Sequence, residues 1–418
     1  MSARRFIGSW ALAALLVLVL VAGFNFAVDP YLLFDRPRVA GFNERKPSVA
    51  TQERMMKLHE VVRGPGYRAL ILGSSRVDVG LNALHGAWPS TMRPVYNLGL
   101  AGADARTELA YLRQALSVNP IKLVVLGLDF EDYLGSPESA KNVLRPAQFE
   151  RHMALRSDGS SNPDFAWQTL VDQVQALLSL DALKASASTI LANRGTGSAN
   201  LDRSGNLSEA PFRRDVDSDG AYALFGQKND RMVREYAGLR AGPVAKPDAR
   251  VDAIDDLNSI IELCEARGIA LILVMQPTHV DRLELFEILG QWDRIEAWKR
   301  IVTQLVSEHQ RAHPTPGIVL WDFWGYDSRS TEPVPAAGDR STRLRWFWEP
   351  AHYTSELGDL MLRRMLGNEA GDYGLVLTPD NVEARLMQTR EAQAQYRGEH
   401  AQTYQRLLRL VQAYKAAH

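Results

Sequence analysis

Five short apolar runs, each closed by a turn and separated by helix-patterned segments, constrain the fold of this chain most. They are Arg68–Leu72 (RALIL), Pro94–Leu98 (PVYNL), Ile121–Leu128 (IKLVVLGL), Ile269–Met275 (IALILVM) and Ile318–Asp322 (IVLWD). Short, nearly all-apolar runs read as strands buried on both faces. Helical periodicity occupies the spaces between them, over Thr51–Arg63, Ala105–Ser117, Asp252–Arg267, a long Asp281–His313 and a last core helix after His352. Strands alternating with helices predict an α/β fold, a three-layer α/β/α sandwich on a five-stranded parallel sheet. Functional groups of such sheets collect at the carboxyl ends of the strands.

The N-terminus carries a second strong pattern. After Arg4-Arg5, the run from Phe6 to Val28 holds no charge and only Ser9 and Asn25 as polar residues. As a helix it would measure about 34 Å, enough for a hydrocarbon core of about 30 Å. Arginines before it and Asp29 after it predict a single-pass anchor in the cytoplasmic membrane, N-terminus inside and the rest extracytoplasmic. A cleaved signal peptide is the rival, though the run exceeds a typical h-region and no small-x-small cleavage site follows.

The expected organisation is an anchor over 1–28, an extended connector and helix over 29–66, an α/β domain over 67–380, and a C-terminal helix over 381–418. Residues 135–246 interrupt the strand–helix rhythm and read as an insertion at the functional edge, with a helix-like Phe165–Leu191. A formal net charge of −1 gives no electrostatic case for nucleic acid. The single cysteine, Cys264, excludes an internal disulfide and reads as the buried face of a helix.

Chemistry concentrates at two places. The first run ends in Gly73-Ser74-Ser75-Arg76, which puts a serine at the sheet's carboxyl edge, where glycine permits the tight turn and following amides can point at an oxyanion. The second run leads into Gly99-Leu100-Ala101-Gly102, and the third ends at Asp129. Near the end of the domain, Trp348-Glu349-Pro350-Ala351-His352-Tyr353-Thr354 sets a histidine before a helix. Glu349 can curl back onto one imidazole nitrogen and hold the ring in the tautomer that takes a proton from serine. Ser75 is therefore the candidate nucleophile, His352 the base and Glu349 its orienting acid. Arg76, His279 (near the end of the fourth run) and Trp348 are candidate substrate contacts. An aromatic cluster (Trp321, Phe323, Trp324, Trp346, Phe347, Trp348) brackets the acid-His loop and would suit either core packing or sugar stacking. His309 and His313 lack a third ligand, and Asp215–Gly220 imitates a calcium loop whose twelfth position is Gly226 rather than glutamate. No metal and no cofactor is expected.

These segments resemble the SGNH/GDSL hydrolase superfamily. Gly73-Ser74-Ser75 matches its first block, Gly102 its second-block glycine, and Glu349-Pro350-Ala351-His352 its final acid-x-x-His block. The resemblance covers about Arg68–Asp129 and Ile269–Leu366, and implies a flavodoxin-like SGNH fold with Ser75, His352 and Glu349 catalytic. It also implies an oxyanion hole from the amides of Ser75 and Gly102, with Asp129 at the third donor's place. With its anchor, the chain looks most like membrane-tethered members such as alginate O-acetylation and teichoic-acid D-alanyl transfer proteins. That implies acyl transfer to or from a cell-envelope polysaccharide, in partnership with a multipass membrane O-acyltransferase. Three positions depart from the pattern. Ser74 stands for the aspartate before the nucleophile, Glu349 for the usual aspartate, and Asp129 for an asparagine whose amide donates to the oxyanion. A carboxylate cannot make that donation, so a non-catalytic scaffold or polymer-binding subunit is the competing expectation.

Overall fold

The computed structural model describes residues 3–134, 151–156, 158–195, 199–239, 251–314, 317–367 and 371–417. Both limits expected for the insertion, 135 and 246, lie outside them. The chain divides into two compact units, one of Met1–Gly64 with Arg145–Pro211 and the other of Pro65–Leu144 with Phe212–His418. The expected insertion is thus split: 151–211 belongs to the N-terminal unit and 212–239 to the sheet unit.

The sheet unit is mixed α/β. Its strands are β1 (Ala69–Gly73), β2 (Val95–Gly99), β3 (Leu123–Leu128), β4 (Ala270–Met275), β5 (Ile318–Asp322) and β6 (Leu375–Val376), in the order β2-β1-β3-β4-β5-β6. The first five are parallel; β6 pairs antiparallel with β5. The sheet is therefore six-stranded rather than five-stranded. A two-residue edge strand is below what apolar patterning can signal. Every residue of β1, β2 and β3 is buried; because side chains alternate between faces, the sheet's centre is covered on both sides. Helices Ala105–Val118, Val251–Ala266 and Trp292–Ala312 pack as one group, and Ser75–Gly80 packs with Ser355–Leu366. The order reverses between β1 and β3, so the loops leaving these strands frame a crevice at the carboxyl edge.

Two expected long helices are broken. Asp281–His313 is Val280–Ile288 and Trp292–Ala312, separated where Gly290 takes φ 71°, a left-handed turn that ends the first helix. The C-terminal helix is Val382–Glu399 and Ala401–Ala417. Cys264 is fully buried, as its helical position predicts.

Among the described residues one helix, Ala3–Val28 of the N-terminal unit, is long and apolar enough to cross a membrane. The segment after it is not an extended connector. The Asp29 carboxylate accepts from the amides of Leu33 (2.8 Å) and Phe34 (3.1 Å). The buried Lys46 ammonium donates to the carbonyls of Val28 (3.0 Å) and Asp29 (2.7 Å), satisfying groups that the helix end leaves without partners. Burial pushes that ammonium down to about 8, against the pull of Asp29. Phe165–Leu191 is two helices, Phe165–Leu178 and Leu180–Ala192, divided at Ser179, whose side chain caps the second by accepting from the Ala182 amide.

Candidate active site

Three strand-end glycines make room for the segment that presents the serine. A Cβ on Gly73, Gly99 or Gly127 would approach within 3.0 Å of Val77 or Asp78, on helix Ser75–Gly80. Gly73 also takes φ 140°, open to glycine and rarely to other residues. Fully buried Asn97 then pins the helix from β2. Its Nδ2 donates to the carbonyls of Val77 (3.0 Å) and Leu81 (2.8 Å), while its Oδ1 accepts from the Gly99 amide (2.9 Å). Ser74 caps the helix, accepting from the Arg76 amide.

The histidine arrives by an equally close approach. Helix Ser355–Leu366 crosses Ser75–Gly80 where two glycines meet, so that a Cβ on Gly358 would lie 1.7 Å from the Gly80 carbonyl oxygen. The loop before it is a small hairpin, with the Trp348 amide donating to the His352 carbonyl (2.9 Å) and the Thr354 amide to that of Trp346 (2.9 Å). Inside it, Glu349 Oε1 accepts from the His352 amide (2.9 Å) and bonds His352 Nδ1.

The result is a line of three side chains, with Ser75 Oγ 2.7 Å from His352 Nε2. Both are partly exposed while Glu349 is buried. Burial opposes ionisation of Glu349, but the facing imidazole, aided by Lys228 and Arg282, overrides it and holds the carboxyl at about 2. A carboxylate fixed on Nδ1 keeps that nitrogen the donor and leaves Nε2 to accept from the serine hydroxyl. The triad opens on a cleft of about 450 Å³, within the range of small-ligand sites.

No protein-family model and no curated protein sequence matches this chain.

Gly102, at φ 61°, lines the cleft. Asp129 reaches its edge but is turned to other partners. Its Oδ1 accepts from Arg76 Nη1 (2.8 Å) and Gln276 Nε2 (2.8 Å), and its Oδ2 accepts from Ser74 Oγ. Tyr353 continues this network by donating to Gln276 Oε1 (3.0 Å). Asp129 is thus paired with Arg76 and turned from the oxyanion position.

Of the three expected substrate contacts, Arg76 lines the cleft and His279 and Trp348 do not. Arg76 borders the cleft, but its terminal nitrogens are taken by Asp129 and by Gln276 O, Pro277 O and Thr278 Oγ1. Its remaining donor, Nε, is buried and has no partner, so the guanidinium braces the site mainly through its terminal nitrogens. His279 is fully buried between the rings of Phe225 and Phe347. Its Nδ1 accepts from the Asp281 amide (3.1 Å) and Nε2 meets the Glu332 carbonyl (2.8 Å), an arrangement for neutral imidazole, and burial pushes its pKa down. Trp348 stacks on Phe212 (6.2 Å), and Phe212 contacts the His352 ring (5.2 Å), so Phe212 backs the histidine and Trp348 does not line the cleft. Phe323, Trp324 and Phe347 are core, and none of the aromatic cluster lines the cleft. Residues Ala210–Asp219 form a helix, which a calcium loop cannot be. The His309 ring is held by Glu265 (3.0 Å) and Asn258 (2.8 Å) instead of standing free at a helix end.

Sequence reading passed over helix Ala221–Tyr236, which brings Lys228, Arg231, Glu235 and Tyr236 to the cleft. Its signal was present in the i, i+3, i+4 spacing of those residues. Glu131 and Asp132, just past β3, line it too. For Glu131 burial is outweighed by Arg282 and Arg76, which hold its carboxyl low; for Asp132 burial and the neighbouring Asp129 and Glu108 push it well above the usual range.

Proposed function

We propose that this chain is a serine-dependent acyl esterase or acyltransferase of SGNH type. The observation that carries this reading is the 2.7 Å contact of Ser75 Oγ with His352 Nε2, with Glu349 on the far ring nitrogen. The β2-β1-β3-β4-β5 order supports a flavodoxin-like arrangement. In the proposed reaction Ser75 Oγ attacks the acyl carbonyl as His352 Nε2 takes its proton. The oxyanion is held by the amides of Ser75 and Gly102. The tetrahedral intermediate collapses, the ester C–O bond breaks, and the imidazolium returns the proton to the departing alkoxide. In the second half His352 removes a proton from water or a sugar hydroxyl, which attacks the acyl-Ser75 carbonyl and releases the serine. Water gives hydrolysis; a sugar gives transfer.

The apolar helix Ala3–Val28 supports anchoring in the cytoplasmic membrane, with the sheet unit extracytoplasmic. The substrate would be an acylated cell-envelope polysaccharide, and the partner a multipass membrane acyltransferase. Asp129 favours a second reading, a scaffold that keeps the fold without the rate, because it stands where an amide donor would serve the oxyanion. Hydrolysis of p-nitrophenyl acetate by the wild-type chain and Ser75→Ala separates the two. Equal rates would leave the scaffold.

A further inference from the structure

A helix in water turns its apolar stripe inward. Helix Phe165–Leu178 does the reverse. Its outward face carries Trp167, Leu170, Val174 and Leu178, 69%, 49%, 46% and 45% exposed, at spacings that place them along one side. Two of its polar residues turn half inward while Gln175 stays exposed: Gln168 Nε2 donates to Asp172 Oδ1 (2.8 Å), and Asp172 Oδ2 bonds His152 Nδ1 (2.7 Å). Asp172 is the helix's only ionisable residue. This helix packs alongside Ala3–Val28 within the N-terminal unit. Asn25, the one polar residue in the outer part of the apolar span, is fully buried there. Its Nδ2 donates to the Leu177 carbonyl (2.9 Å) and its Oδ1 accepts from Ser186 Oγ (2.8 Å). A polar side chain at membrane depth needs such partners.

We propose that helix Phe165–Leu178 is a second membrane-embedded element, with its Trp167-Leu170-Val174-Leu178 stripe in the hydrocarbon of the bilayer that Ala3–Val28 enters. The proposal rests on the reading of Ala3–Val28 as the anchor. Fourteen residues make about 21 Å of helix, short of a hydrocarbon core of about 30 Å, so the helix enters one leaflet and does not cross. Lipid fits the stripe better than a partner's helix, because helix–helix contacts in membranes select small residues and these four are large. The boundary is marked on both sides. Arg36 lies 4.7 Å over the Phe26 ring, an aromatic-cation belt at the span's outer end. The next helix leaves the charged Asp181 and Lys184 exposed.

The test is nitroxide labelling of the full chain in phospholipid nanodiscs, through single cysteines at Leu170 or Val174, with Leu15 and Lys184 as lipid and water references. Buried Cys264 is the only native thiol, and the unsubstituted chain is the labelling blank. Circular dichroism checks each variant, and Leu178→Cys replaces one that fails to fold. Collision with oxygen exceeding collision with a water-soluble nickel chelate at 170 and 174, as at 15, is the expected result. Nickel-dominated collision at 170 and 174, as at 184, overturns the proposal while a lipid signal at 15 preserves the anchor. Protection from both reagents shows that protein covers the stripe and also overturns it. A water signal at 15 overturns both.

Discussion

Ser74 and Ser75 are adjacent in the chain and opposite in situation. Ser75 Oγ is partly exposed to the cleft and faces an imidazole nitrogen at 2.7 Å. Ser74 Oγ is buried and donates to the Asp129 carboxylate, which already accepts from Arg76 and Gln276. One hydroxyl has a base that can carry its proton away and a space for an electrophile. The other is a strut in a buried network, held between the Asp129 carboxylate and the Arg76 amide. The two side chains are chemically identical, so partner and access alone set them apart.

That contrast can be broken in several ways. The largest effect expected is from Ser75→Ala, which should lower kcat for an acetate ester by about 10⁵ or more, as in serine triads, with little change in Tm. Glu349→Gln should cost about 10⁴ in kcat by presenting the wrong tautomer, read in the same assay. For Asp129→Asn the expected loss is in stability, about 3 kcal/mol by denaturant titration, because Arg76 is left buried without its counter-charge. An increase in kcat of that variant would instead show that an amide at 129 completes the oxyanion hole. Ser74→Ala should cost about 1 kcal/mol through the lost cap and leave kcat within about tenfold of wild type; a drop matching Ser75→Ala would overturn the distinction between the two serines.

The smallest effect is a pH dependence. Glu349 is held below its unfolded value, so its ionisation stabilises the fold above that value and the contribution fades as pH falls towards about 2. The stability difference between wild type and Glu349→Gln, measured by denaturant titration, should stay constant above about pH 5 and narrow below the ordinary glutamate pKa of about 4.3.

Much of the framework was legible because it is written in local pattern. The five parallel strands, Cys264 in a helix core and the helix after His352 all follow from periodicity over a few residues. Gly73-x-Ser75 and Glu349-x-x-His352 were legible for the same reason, since each pair lies within one turn. What escaped depended on distant partners. Arg76 looks like a ligand-binding arginine until Asp129 and the Gln276–Thr278 segment claim its nitrogens. His279 lies near a strand's carboxyl end yet is sealed between Phe225 and Phe347. Lys228 and Arg231 lie on a helix whose spacing was legible, but its docking at the cleft depended on the rest of the fold.

By itself the sequence determined that this chain has a parallel-sheet core, an apolar N-terminal helix and a Ser-His-acid set at two chain-distant turns. Tertiary structure brought Ser75 to the histidine, through the Gly80–Gly358 crossing of segments about 280 residues apart. It also decided that Asp129 faces an arginine and that helix Phe165–Leu178 shows its apolar side outward. Periodicity reports that a helix has two faces, and only packing chooses which one is hidden.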